Sequence, residues 1–253
     1  MSLEVSLTLT SLLLGLAMLF QGIEIFLIGR SPEFRTIWNS ENLKEELIAG
    51  LPLPKSIILK LFSHRGFLIL ALIQILCAVA GMVFFHWVFF AILLVCHLFT
   101  CIRFRGIFNG GSDMMTFVVL TGVLIGGKMG MIYIAIHGLL SYFKAGFSKL
   151  RDKSWRQGRA LAVFLGRSLY PDIREYARLL SQNSRIGLFL AIVVIAFELL
   201  AVALPFGRQY LNAYFIVVVI FHLVVYWCFG LNRFFWIWMS AWPSIYYTVS
   251  LVP

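Results

Sequence analysis

Apolar residues in this chain come in long runs separated by short polar knots. The first run, from about Val5 to Gly29, has nothing basic ahead of it and is too long for the core of a cleaved signal, so it predicts a first membrane span over about Ser6 to Ile28. A polar stretch from Arg30 to Arg65 follows, with Pro32, Pro52 and Pro54. Within it, ENLKEELIAGLPLPKSIILKLF mixes charged and apolar residues at helical spacing, which predicts helices lying on a membrane surface. The run from Gly66 to Ile102 is too long for one helix and predicts two spans joined by a short turn near Gly81 to His86. After the polar knot RFRGIFNGGSDM comes a second double-length run to Phe143, broken at Gly126-Gly127-Lys128. Lys144 to Arg185 is the longest polar segment, and two further spans are expected at about Ile186 to Phe206 and Tyr210 to Phe229. The tail FFWIWMSAWPSIYY reads as an eighth helix, short or interfacial, because Trp and Tyr favour the headgroup region. The expectation is an all-α, polytopic membrane protein of about seven transmembrane helices. It forms one domain over residues 1–253, with interfacial segments at about 30–65 and 144–185.

Composition strengthens this reading. Apolar residues make up 61% of the 253 positions and charged residues 13%, where a soluble domain carries about 25% charged residues. A water-facing globule has to cover itself with polar groups, and a lipid-facing one does not. The net charge of +10 is placed rather than spread. Six basic residues fall between Arg30 and Arg65, ten between Lys144 and Arg185, and only Lys128 and Arg208 lie in the turns of the opposite side. The positive-inside rule then puts the N-terminus outside and the basic loops in the cytoplasm, as in a bacterial inner membrane, and accounts for the charge without nucleic acid. Cys77, Cys96, Cys101 and Cys228 sit inside apolar runs without CxxC spacing and read as buried small hydrophobes.

Ionisable groups in apolar spans are costly and therefore candidates for function. They are Glu24, His97, His137, Glu198 and His222. Glu24 either snorkels or pairs with Arg30, or is functional; Glu198 either lines a polar cavity or is paired. The three histidines come from different spans, which suits interhelical hydrogen bonds; with no HxxxH spacing, no metal site is expected. The stretch Asn109-Gly110-Gly111-Ser112-Asp113 permits a tight turn whose Ser112 or Asp113 caps the next helix. Alternatively, Asn109 and Asp113 form a polar pocket wall. Ser141 to Leu165, SYFKAGFSKLRDKSWRQGRALAVFL, runs from an aromatic span end through Lys149 to Trp155. Lys149 is either one of the ten topology-setting cations or a lysine tucked under surface helices, where desolvation favours its neutral amine as a base. No second general acid or nucleophile lies near it in sequence.

That segment resembles the signature of the HTTM (horizontally transferred transmembrane) family, related to the membrane domain of vitamin K-dependent gamma-carboxylase. The family pattern YF-x-AG-x-x-KL, followed by D-x-x-W-x-x-G, is met by Tyr142, Phe143, Ala145, Gly146, Lys149 and Leu150, then Asp152, Trp155 and Gly158. NGGSD is similar to the family's Asn-rich turn, with Gly111 where the carboxylase has a histidine, and His222 to Pro243 is similar to its closing helices. The resemblance implies Lys149 as the base that deprotonates a reduced quinone, with Asn109, Asp113 and Trp155 shaping its pocket. The substrate would be a quinone or another lipid-soluble molecule arriving laterally from the membrane lipids. A non-catalytic subunit of a larger membrane assembly is the alternative, with a membrane protein as partner. A transporter is disfavoured, since the two halves show no repeat.

Overall fold

In the computed structural model, residues 1–32, 34, 42, 45, 54–104 and 111–252 are described, and among them there is no strand. The helices are α1 (Leu3–Arg30), α2 (Lys55–Leu61), α3 (His64–Phe84), α4 (Trp87–Arg103), α5 (Gly111–Ile125) and α6 (Gly127–Arg151). They continue with α7 (Lys153–Arg156), α8 (Ala160–Leu165), α9 (Pro171–Gln182), α10 (Ser184–Leu200), α11 (Leu211–Phe229) and α12 (Asn232–Ser250). Leu3–Arg30, His64–Phe84, Ser184–Phe206 and Arg208–Phe229 are long and apolar enough to cross a membrane, and Trp87–Arg103 and Gly111–Ile125 are shorter apolar helices. This composition of helices fits an integral membrane protein. Half of the 30–65 segment, and Asn109 with it, lies outside the described residues.

Both double-length runs break where the sequence suggested. The first turn is Phe85–His86: Phe85 takes the left-handed conformation at φ 51°, and His86 Nδ1 accepts from the Val88 N–H at 3.4 Å to cap α4. The second is Gly126–Gly127, at φ 70° and 54°, a conformation that glycine adopts without steric cost.

Between helices that face lipid there is no hydrophobic gain, so contact depends on close fit and interhelical hydrogen bonds. The α1–α3 seam is built this way. A Cβ at Gly15 would lie 2.2 Å from Met82 Cγ, and one at Gly22 would lie 2.8 Å from Ile75 Cγ1. The buried Gln74 Nε2 donates to the Met18 carbonyl across the same seam at 2.9 Å.

The C-terminal tail departs from expectation. α12 is neither short nor interfacial: it runs for 19 residues, and Ile237 to Ile245 are buried without interruption. Trp242 is 1% exposed, with its ring packed against Tyr214 and Phe215 of α11. Trp238 and Trp242 fill space between helices. Opposite them, Thr10 of α1 shares a hydrogen bond with Ser244 at 3.2 Å.

The basic segment after α6 folds as α7 to α9. Pro171 opens α9 at its first turn, and the helix buries Ala177 while exposing Arg174, Glu175 and Arg178, a one-sided pattern that suits a surface helix.

Candidate functional site

Lys149 closes the last turn of α6, and its Nζ donates to both oxygens of Glu198, at 2.6 and 2.7 Å. Glu198 comes from α10 and its side chain is 4% exposed against 21% for Lys149. Glu198 lies fourteen residues beyond Ser184, the first residue of α10, or about 21 Å along the helix at 1.5 Å per residue. The acceptor that sequence inspection did not find beside Lys149 is thus supplied by another span, 49 residues away. Of the two readings for Glu198, the structure realises the paired one.

Gly146, Asp152, Trp155 and Gly158 of the motif contribute to this pair. A Cβ on Gly146 would sit 2.9 Å from Glu198 Cβ and 3.0 Å from Leu199 N, so a glycine lets α10 come close enough for the lysine to reach the carboxylate. Asp152 caps α7, its Oδ1 accepting from the Ser154 N–H at 2.7 Å and the Trp155 N–H at 3.3 Å, and also from the Ser154 hydroxyl. These bonds, the Ser154 hydroxyl's foremost, hold the exposed Asp152 carboxyl below the usual carboxylate range. The capped turn sets Trp155 over the amine, with Lys149 Nζ 5.3 Å from the ring centroid, a cation–π distance. Trp155 belongs to a small apolar cluster with Ala160, Ala191 and Ile195 that covers the pair. Gly158 has φ 71°, and a Cβ there would meet Leu188 N at 2.3 Å, so α8 can only turn back onto α10 through a glycine.

Asp113 stands in a second group. Its Oδ1 pairs with Arg233 Nη2 at 2.6 Å, and Arg233 also donates to Ser112 Oγ at 3.2 Å. The Asp113 carbonyl bonds His97 Nε2 at 3.0 Å, and Cys101 Sγ is 3.6 Å from the same nitrogen. Donor atoms of His97, Cys101 and Asp113 lie within 4.8 Å of one another. A search for histidine pairs does not reveal this group, because its members come from α4 and α5. As it stands its donors are engaged with one another, and the Arg233 cation beside Asp113 opposes a second positive charge there. A cavity of about 560 Å³ opens next to it, lined in part by Gln21, Glu24, Cys101, Asp113 and Arg233. Lys149, Glu198 and Trp155 do not line it. Trp155 thus lies beside Lys149, whereas Asp113 lines a different pocket.

The remaining candidates also resolve. Glu24 accepts from Asn232 Nδ2 at 3.1 Å, while Arg30 lies over Phe26 instead. His222 Nε2 bonds the Tyr142 hydroxyl at 2.7 Å, joining α11 to α6. His97 likewise joins two helices, and His137 bonds the Tyr133 carbonyl one turn back at 2.9 Å.

Compared with protein-family models, curated proteins and solved structures, the chain matches none.

Proposed function

We propose that this chain is a multi-pass membrane protein that takes an acidic hydroxyl compound of the hydroquinone class from the bilayer and deprotonates it at the Lys149–Glu198 pair. The observation that carries this reading is the burial of that pair beneath Trp155 by the residues of one motif. In it, the base role expected for Lys149 passes to Glu198, and Lys149 supplies the cation. The substrate O–H bond breaks, its proton passes to the Glu198 carboxylate, and the electron pair stays on oxygen beside the Lys149 ammonium. A positioned cation next to developing negative charge is the usual way such a step is favoured. In this reading the chain has about seven spans, with α12 as an eighth, in a bacterial inner membrane, the N-terminus outside and the basic loops cytoplasmic; the gathering of positive charge in those loops supports it.

The test is reconstitution in lipid nanodiscs with a naphthohydroquinone, followed by absorbance of the hydroquinone anion at neutral pH. The wild-type protein should raise the anion fraction, and Lys149→Met or Glu198→Gln should remove the effect in protein that remains folded. No anion signal, together with a stoichiometric protein partner after mild-detergent purification, would overturn this in favour of a non-catalytic assembly subunit.

A further inference from the structure

The cavity beside Asp113 has no role in that chemistry, yet it is built like a binding site. It lies between α1, α4, α5 and α12, and its volume of about 560 Å³ falls in the range of small-ligand pockets. Gln21 lines it while being only 1% exposed, and neither its Nε2 nor its Oε1 has a partner among the described residues. A buried amide left open at both ends carries the desolvation cost of each unsatisfied group. The site thus offers one strong donor and one strong acceptor to an occupant.

The charges around Gln21 specify which occupant. Glu24 lies one turn further along α1, and Arg233 enters from α12, held by Asp113 and Ser112. Two carboxylates against one guanidinium disfavour a ligand of net negative charge. They suit one that carries a cation toward Glu24 and an anion toward Arg233. Ile25, Ile28 and Phe234 make the intervening wall apolar, and on the outer side of the same α1 segment Ile23, Leu27 and Ile28 are 39%, 60% and 46% exposed. The cavity sits where α1, α4 and α12 carry Arg30, Arg103 and Arg233, at the end of the bundle that bears the basic segments.

We propose that this cavity binds the phosphoethanolamine headgroup of an amine-bearing phospholipid, with the ammonium at Glu24 and Gln21 Oε1 and the phosphate toward Arg233. A primary ammonium supplies N–H donors that a quaternary choline lacks, and a glycerol headgroup supplies no cation. The same headgroup chemistry occurs in free phosphoethanolamine, so the experiment separates the two sources. The full chain, delipidated in mild detergent, is titrated with phosphatidylethanolamine, phosphatidylcholine and phosphatidylglycerol and read by native mass spectrometry. One phosphatidylethanolamine should remain bound, at least tenfold more tightly than either other lipid, and Gln21→Leu and Glu24→Gln should each weaken it about tenfold. Ile28→Trp, which fills the cavity from its lipid-facing wall, should block binding and serves if either polar variant fails to fold. Equal retention of phosphatidylcholine, preference for phosphatidylglycerol, or unchanged binding in the variants would overturn the assignment. Free phosphoethanolamine binding as tightly as the lipid would overturn the lipid as ligand. A loss of lipid selectivity in protein that still raises the hydroquinone anion separates this site from the Lys149 site.

Discussion

Removing one partner of the Lys149–Glu198 pair should destabilise the protein far more than removing both. The pair is nearly enclosed, with Glu198 at 4% exposure and Lys149 at 21%. Breaking a buried pair at one end leaves an uncompensated charge and costs about 3–5 kcal/mol, whereas replacing both ends by neutral groups of similar volume is often neutral or stabilising. The exposures make the single losses unequal. Lys149 still reaches the outside when Glu198 is neutralised, so Glu198→Gln should lie at or below the lower end of that range, near 3 kcal/mol. Lys149→Met leaves the carboxylate beneath Trp155 and Ile195, and should lie toward the upper end, near 5 kcal/mol. The double variant Lys149→Met/Glu198→Gln should recover most of the loss and show a coupling energy above about 2 kcal/mol. The assay is reversible denaturant unfolding in a fixed detergent, monitored by helical circular dichroism for the four proteins of the cycle. Single losses below about 1 kcal/mol, or a double variant no more stable than Lys149→Met alone, would mean that the pair is hydrated, and the reasoning would fail.

Three other expectations follow from the same geometry. Gly146→Val should cost about 1–3 kcal/mol and weaken the ion pair, because its side chain would enter the space of Glu198 Cβ and Leu199; unchanged unfolding in denaturant would contradict this. Tyr142→Phe removes the partner of the buried His222 and should cost about 1–3 kcal/mol, measured in the same unfolding assay, with no change at the more distant cavity. Asp152 is held below the usual carboxylate range by Ser154 and the Trp155 N–H. A lowered folded value means that its stabilising bonds are complete above the ordinary carboxylate range and lost only as pH falls through the lowered one. Trp155 fluorescence should therefore stay constant on acidification through the ordinary range and change below it, and Ser154→Ala should move that change to higher pH.

The sequence allowed the apolar runs, both interhelical breaks and the motif around Lys149 to be read, because each is a local signal: uninterrupted apolar length, a Gly-Gly step, fixed spacing. It did not reveal what Lys149 faces. Glu198 is 49 residues away, and pairing across that distance depends on where α10 crosses α6, which no local pattern encodes. The trace that could have pointed to it was a carboxylate within an otherwise apolar span, whose cost demands a partner. Asp113 and Trp155 were grouped with Lys149 through family resemblance, but their placement depends on which helices pack together: α7 folds back onto α10, whereas the start of α5 packs against the start of α12.

The C-terminal helix shows why hydropathy alone misreads such a protein. A helix that faces lipid must be apolar on its outer side, and α11 meets this with Ile216, Ile220, Val224 and Trp227 exposed. A helix surrounded by other helices has no such requirement, so it can carry serines whose hydroxyls find partners inside and aromatic groups whose rings stack on their neighbours. α12 does so through Ser244, which bonds toward Thr10, and through Trp238, stacked on His222. Its lower hydropathy follows from its central position, and the feature that suggested a peripheral tail belongs to the helix against which α1, α5, α6 and α11 pack. Replacing Ser244 by Leu should therefore disrupt the bundle by overpacking, while Val224→Leu on the lipid-facing side of α11 should leave unfolding unchanged. Equal tolerance at both positions in a denaturant series would show that α12 is not enclosed.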